Sequence, residues 1–390
     1  MQVGIYVPVS EIFPDVQPVL PAFTSLLRKL SLTDVLFWCA RLNHVVTSCS
    51  NLTHEQKQAF GLRQFFSPVE IERLDRFCAA ERRPPGCVTI FFRGQLFDLV
   101  RWAALFCDDH PDDGTTFEDP EKRRIFAQVC LIASDVWARR TYGDALSLEG
   151  GVDAARQRTL GPFRKGAEGS LTSSELSQDL GRGWRLFCEH MPRFDTGFEA
   201  LFQSATGLST EDHFVCWSGL ITNYAKPTAE ATIFSENTSA PKTAYPEIFA
   251  LFLALESQSP LDLRSALWPA ITRDEALAGA TPHYDYRPLR ERPILKSADG
   301  RMILVDPVFA ADKCAIGPLF HVLPLADANR LFEIFGKAFE QYAGEVLERA
   351  FSGTPGLVSP LARTIEGRGA GGEQFEIDAA LNYVNDLVLL

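Results

Sequence analysis

The last sixty residues of the chain constrain its fold more than any other stretch. The run LFEIFGKAFEQYAGEVLERAF (331–351) repeats Leu331, Phe335, Ala338, Phe339, Tyr342, Val346 and Ala350 at helical spacing, an apolar stripe broad enough to lie on a sheet. GRGAGG (367–372) breaks the pattern, QFEID (374–378) reads as a strand ending in an acid, and LVLL (387–390) reads as an apolar strand after an Asn385-Asp386 turn. The first two strands are expected over 357–365 and 374–381. An apolar strand of this kind belongs in the middle of a sheet, and ending there would leave an unpaired edge. The chain is therefore expected to be a fragment whose next strand follows Leu390.

At 390 residues there is material for two or three domains. Charged residues make up 23% and apolar residues 46%, which excludes a disordered chain. A net charge of −12 argues against indiscriminate coating of nucleic acid but allows a local basic groove. The 29 Phe suit helical cores. Nine Cys, scattered singly with no CxxC pair, suit buried thiols in a reducing cytoplasm better than a disulfide framework; the sequon at Asn51 then carries nothing. The N-terminus has no leader-like pattern, and no apolar run approaches the ~20 residues of a membrane span. A cytoplasmic protein without a membrane partner is expected.

Residues 1–235 read as helical, with helices near 18–30, 32–48, 67–80, 95–107, 173–190, 196–206 and 210–224. Ser67-Pro68-Val69-Glu70 joins a cap residue, Pro at the first helical position and Glu three after the cap. Asp119-Pro120 opens another helix, with Ile125, Phe126, Val129, Cys130, Ala133, Val136 and Trp137 in phase and Gly143 as its stop. Loops are expected at 108–119, 143–170 and 235–243. One or two further helices fill 245–275. DYRPLRERPILKSADGRMILVDPVFAADK (285–313) then reads as strand, turn, strand: Pro293–Lys296, a turn at 298–300, and Met302–Val305. This texture divides the chain into a helical region (1–235), a helical linker with a hairpin junction (236–325) and an α/β segment (326–390).

The C-terminal order, together with the DYRPLRERP…DG…VDPVF…K hairpin before it, resembles the PD-(D/E)xK nuclease superfamily over about 285–390, and faintly at 196–220. The resemblance implies a mainly α N-terminal region and a C-terminal α/β, restriction-endonuclease-like core preceded by a β-hairpin. That core is incomplete, since its acid-x-Lys triplet would come after Leu390. It implies Mg²⁺- or Mn²⁺-dependent hydrolysis of DNA or RNA phosphodiesters in bacterial nucleic-acid defence, with the helical region serving a sensor, protein-partner or homo-oligomer role. Carried over residue by residue, Asp378 takes the strand-acid position and Glu340 the helix-acid position, both as catalytic metal ligands. Glu345 lies nearer the apolar stripe and is the alternative helix acid. The chemistry needs a hard cation on carboxylate oxygens to activate water and neutralise the developing phosphorane charge.

Charge weighs the other way, because residues 326–390 carry five Lys or Arg against ten Asp or Glu. Candidate nucleic-acid contacts lie at Arg287, Arg290, Arg292 and Lys296, beside Arg301, and at Arg139, Arg140, Arg156, Arg158, Arg164 and Lys165. The ordinary reading of such runs is a solvated surface. A second class stays open: a catalytically inactive helical scaffold that binds a protein partner. Cys188, His190, His213 and Cys216 are zinc-type residues, but 188 and 190 would leave one helix in different directions. Asp108–Gly114 lacks the spacing of a calcium loop. No P-loop or Gly-x-Ser-x-Gly elbow occurs.

Overall fold

The fold, from a computed structural model, is mostly helical. The structure describes residues 7–17, 19–48, 52–82, 88–107, 119–146, 173–224, 233–235, 245–267, 287–298 and 300–351, together with strands at 358–362, 365–368, 374–377, 380–383 and 386–389. The chain forms two compact units, one of Met1–Gln178 with Val215–Lys313, the other of Asp179–Phe214 with Cys314–Leu390. This division does not follow the boundaries drawn from sequence texture at 235 and 325. Among the described residues, no helix is long and apolar enough to cross a membrane.

The first unit opens with seven helices: α1 (Val9–Ile12), α2 (Leu20–Leu27), α3 (Leu32–Ser48), α4 (His54–Phe65), α5 (Pro68–Ala80), α6 (Arg93–Phe106) and α7 (Pro120–Leu146). Ser67 caps α5 as its sequence demands, accepting from the Glu70 N–H while the Glu70 carboxylate accepts from the Ser67 N–H. Thr53 and Gln56 build the same box at α4, a helix absent from the sequence reading. The helix opened at Pro120 runs through Gly143 to Leu146, so that glycine does not stop it. Apolar faces of α3, α6 and α7 share one core, in which the Phe65 ring meets Trp38 at 4.7 Å and Phe126 at 4.6 Å between centroids. Burying such rings supplies roughly 2 kcal/mol or more each.

After α11 (Thr210–Tyr224), the same unit adds β1 (Ile233–Ser235), α12 (Pro246–Glu256), β2 (Ser257–Gln258), α13 (Pro260–Leu267), α14 (Arg287–Glu291), β3 (Ile294–Lys296) and β4 (Arg301–Leu304). The expected hairpin is present, with Ile294 opposite Leu304 and Lys296 opposite Met302. Gly300, at φ 81°, supplies the left-handed backbone its turn needs. The hairpin is not isolated: the sheet order is β1-β4-β3-β2, with β2 parallel to β3 and the other pairs antiparallel. Ile294, Leu295, Met302, Ile303 and Leu304 are all buried, the continuous apolar pattern of strands covered on both faces. VDPVF, read as the end of the hairpin, starts α15 (Pro307–Val322). Asp306 before it accepts from the N–H groups of Val308 and Phe309.

The second unit holds most of α8 (Ser173–Trp184), a π-helical turn (Arg185–His190), α9 (Met191–Phe194), α10 (Phe198–Thr206), α16 (Ala328–Phe351) and five strands. Its core is aromatic, with Phe187 stacked against Phe198, Phe214 and Phe335. After α16 come β5 (Val358–Ala362), β6 (Ile365–Arg368), β7 (Gln374–Ile377), β8 (Ala380–Tyr383) and β9 (Asp386–Leu389). β6 pairs with β7, β5 with β8 and β8 with β9, all antiparallel. The strands make two sheets, one of order β5-β8-β9 and one of β6-β7.

Candidate functional site

The charged cluster with the most partners in the second unit is built by α16 and the π-helical turn. A π-turn closes i→i+5 bonds, so residues five apart lie nearly above one another. Here the Met191 N–H reaches back to the Leu186 carbonyl, and Pro192, which has no N–H to donate, follows at once. The widened turn brings Arg185 and His190 to the same carboxylate. In an α-helix those two residues would face well apart.

That carboxylate is Glu345. Arg185 donates to its Oε2 at 2.5 Å, the Arg349 guanidinium stands 3.5 Å and the His190 Nε2 3.7 Å from the same oxygen, and Arg193 lies 3.8 Å from Oε1. Gln341 donates to Oε1 at 3.4 Å. Arg185 also pairs with Glu189 at 3.3 Å, and its guanidinium lies 5.7 Å from the centre of the Tyr342 ring. Burial alone would raise the Glu345 carboxyl. The charges of His190 and Arg185, with the hydrogen bonds from Arg185 and Gln341, outweigh it and hold the group below its usual range. His190 is fully buried, and neither ring nitrogen has a hydrogen-bond partner among the described residues. Burial pushes its pKa down, Glu345 pulls it up, and Arg193 and Arg185 push it down again. The net shift is downward.

The two candidate helix acids separate as their phase on α16 requires. Glu345 is half-buried among guanidiniums, whereas Glu340 is exposed. A divalent ion at Glu345 would meet three guanidiniums close by, each repelling it by several kcal/mol at an effective dielectric near 20. Glu345 is thus suited to gathering cations already in the protein, and metal ligation at this position is the reading that the surroundings disfavour. Asp378 lies outside the described residues, between β7 and β8. Two members of the expected apolar stripe, Phe339 and Val346, are exposed, as is Phe332; Leu331 and Ala338 are buried as expected.

The candidate nucleic-acid contacts sit in the first unit. Arg287 pairs with Glu291 one turn along α14. Arg290 lies over the Phe309 ring and 3.9 Å from Asp312. Arg292 is exposed and its carbonyl accepts from Gln258, while Lys296 is partly buried on β3. Arg287 and Arg290 thus have acidic or aromatic neighbours within the first unit. The zinc-type residues part company too: Cys188 donates to Thr210 while His190 faces Glu345. Arg139, Arg140 and Trp137 lie on α7 where side chains are not described, and Arg156, Arg158, Arg164, Lys165, the 108–114 loop and Asn51 lie outside the described residues.

Sequence reasoning missed Arg185, Arg193 and Arg349. The signal available was Met191-Pro192 inside a helical run, which announces a local departure from α geometry. Set beside known proteins, no family model matches the chain, and neither a curated protein nor a solved structure matches it.

Proposed function

We propose that α16 and the strands β5 to β9 form part of a metal-dependent nuclease core, hydrolysing DNA or RNA phosphodiesters with Mg²⁺ or Mn²⁺. The observation that carries this reading is the order of elements: α16 is followed in the chain by β5 to β9, antiparallel in every pair, and Asp378 stands in sequence between β7 and β8. A carboxylate fixed by rigid strand holds a cation better than one on a loop, and Asp378 would serve as that carboxylate. Glu340, exposed and away from the guanidinium cluster, is the helix acid better suited to share that ion. The ion would activate water and neutralise charge on the phosphorane.

Cleavage of plasmid DNA and of RNA by the full product of the coding sequence, with Mg²⁺ or Mn²⁺, tests the reading. Activity should fall to background in Asp378→Ala and drop sharply in Glu340→Gln, with both variants folded by circular dichroism. Inactive wild-type protein on every substrate and metal, or an active Asp378→Ala, would overturn it. One observation favours the scaffold reading instead: Phe332, Phe339 and Val346 are exposed at seven-residue spacing on α16, a face on which another helix could pack.

A further inference from the structure

His213 stands on the first turn of α11 and His321 on the last turn of α15, and both belong to the second unit. One ring nitrogen of each lies within 4.8 Å of the other, and the ring centres are 5.9 Å apart. The turn that presents His213 is fixed by its neighbours. The Ser209 hydroxyl donates to Asp212 at 2.6 Å and accepts from the Asp212 N–H, and the Ser209 carbonyl accepts from the His213 N–H at 3.1 Å. Glu199 of α10 accepts from both the N–H and the hydroxyl of Thr210. Phe202 lies edge-on to both imidazoles, 5.6 Å from His213 and 6.2 Å from His321 between ring centres, and Phe214 lies 5.7 Å from His213. His213 is wholly buried and His321 half-buried, so one member of the pair keeps contact with solvent.

We propose that His213 and His321 form a transition-metal site, with Zn²⁺ as the ion that suits it best. Imidazole nitrogen favours Zn²⁺, Cu²⁺ and Ni²⁺, whereas Mg²⁺ and Mn²⁺ favour carboxylate and water oxygens. The site therefore differs in chemistry from the Asp378 and Glu340 carboxylates and does not rest on the nuclease reading. Of the zinc-type residues read from the sequence, Cys188 and His190 turn elsewhere, and His213 meets His321 instead. Zinc binds imidazole nitrogen at about 2.0–2.1 Å, so two such nitrogens on a tetrahedral ion stand about 3.4 Å apart. Nitrogens within 4.8 Å reach that spacing by a small ring movement. His321, half-buried at the end of its helix, is the ring with room to make it. His213 is the fixed partner, held by the capped turn and the aromatic rings, as a rigid half of a metal site should be. Two histidines leave the remaining positions of the ion to other donors, water among them.

The test is zinc binding to the full chain, stripped of metal with EDTA and returned to chelator-free buffer. Competition against a chromophoric zinc chelator should show a single site per chain. His321→Ala should weaken it by about a hundredfold or more, since losing even an outer partner of a zinc ligand costs roughly 10–100-fold. His321 is half-buried at a helix end, so the variant should fold, which circular dichroism checks. His54→Ala, which removes an exposed histidine of the first unit set 2.9 Å from the Val88 carbonyl oxygen, should change nothing. Saturating Zn²⁺ should raise the thermal midpoint of the wild type and leave that of His321→Ala unmoved. Co²⁺ in place of zinc should give the visible absorption of a tetrahedral site in the wild type only. An excess of Mg²⁺ should not displace the zinc. No zinc binding by the wild type, equal binding by His321→Ala, an equal loss in His54→Ala, or displacement by Mg²⁺ would each overturn the site. None of these readouts involves phosphodiester cleavage, so failure of the nuclease reading leaves them intact.

Discussion

His44 on α3 is almost wholly buried, and desolvation lowers its pKa from the usual 6.5 to about 4. The consequence is a defined acid sensitivity. Above pH 6.5 the ring is neutral whether the chain is folded or not, and it adds no pH dependence. Between pH 6.5 and 4 the unfolded chain binds the proton and the folded chain does not, so stability falls with pH and the loss saturates below 4. The span corresponds to about 3 kcal/mol. Urea denaturation from pH 7 to 4 should show that loss, and His44→Gln should remove most of it; an unchanged slope would show that the ring stays neutral for another reason or titrates normally. Asp306 illustrates a different single-residue role. It is wholly buried and accepts from Asn43 at 2.8 Å, from Arg93 at 2.7 Å, and from the first turn of α15. The sequence reading places the Asp306-Pro307 dipeptide in the hairpin, although it reads Asp119-Pro120 as the start of α7. The partners of Asp306, more than two hundred residues earlier in the chain, were not legible.

At the scale of elements, two glycines in α8 make a sharp contrast. A Cβ at Gly181 would meet nothing within 4 Å, whereas a Cβ at Gly183 would overlap the Cys314 carbonyl oxygen and crowd the Phe214 ring. Pro318, inside α15, has no N–H to offer the carbonyl four residues back, which is that of Cys314. The freed oxygen faces the helix at the one position where a side chain is missing. Gly181→Ala should therefore stabilise the protein by about 0.5–1 kcal/mol through helix propensity. Gly183→Ala should destabilise it by roughly 1–3 kcal/mol through overpacking against backbone that cannot yield. Chemical denaturation of the two variants checks the pair, and equal effects would remove the steric account. Helix positions from 20 to 224 were largely readable because caps and apolar phase agree locally. The π-turn was not, because Pro192 announces a defect without saying which hydrogen-bond pattern absorbs it.

At the scale of the whole molecule, the seven cysteines described form no disulfide with one another and six are buried. Burial raises the Cys39 and Cys130 thiols well above their ordinary range; Cys188, raised by burial despite its bond with Thr210, is pushed up to about 12. Since the thiolate is the reactive form, these groups should react slowly with a thiol reagent at pH 8 in the native protein and fully in guanidinium. The thermal midpoint should not depend on added reductant. Rapid native labelling of Cys39 or Cys130 by mass spectrometry would contradict their placement in the core. The sequence by itself determined the helical character, the capped starts of α5 and α7, the 293–305 hairpin and the helix-then-strands order at the C-terminus. Each of these follows from periodicity and backbone chemistry within a few turns of chain. Only the tertiary structure decided that the hairpin lies inside a four-stranded sheet, that the two units interleave along the chain, and that Glu345 meets three arginines while Glu340 remains exposed. Those outcomes depend on which distant side chains share a low-dielectric space, and local sequence carries no record of that.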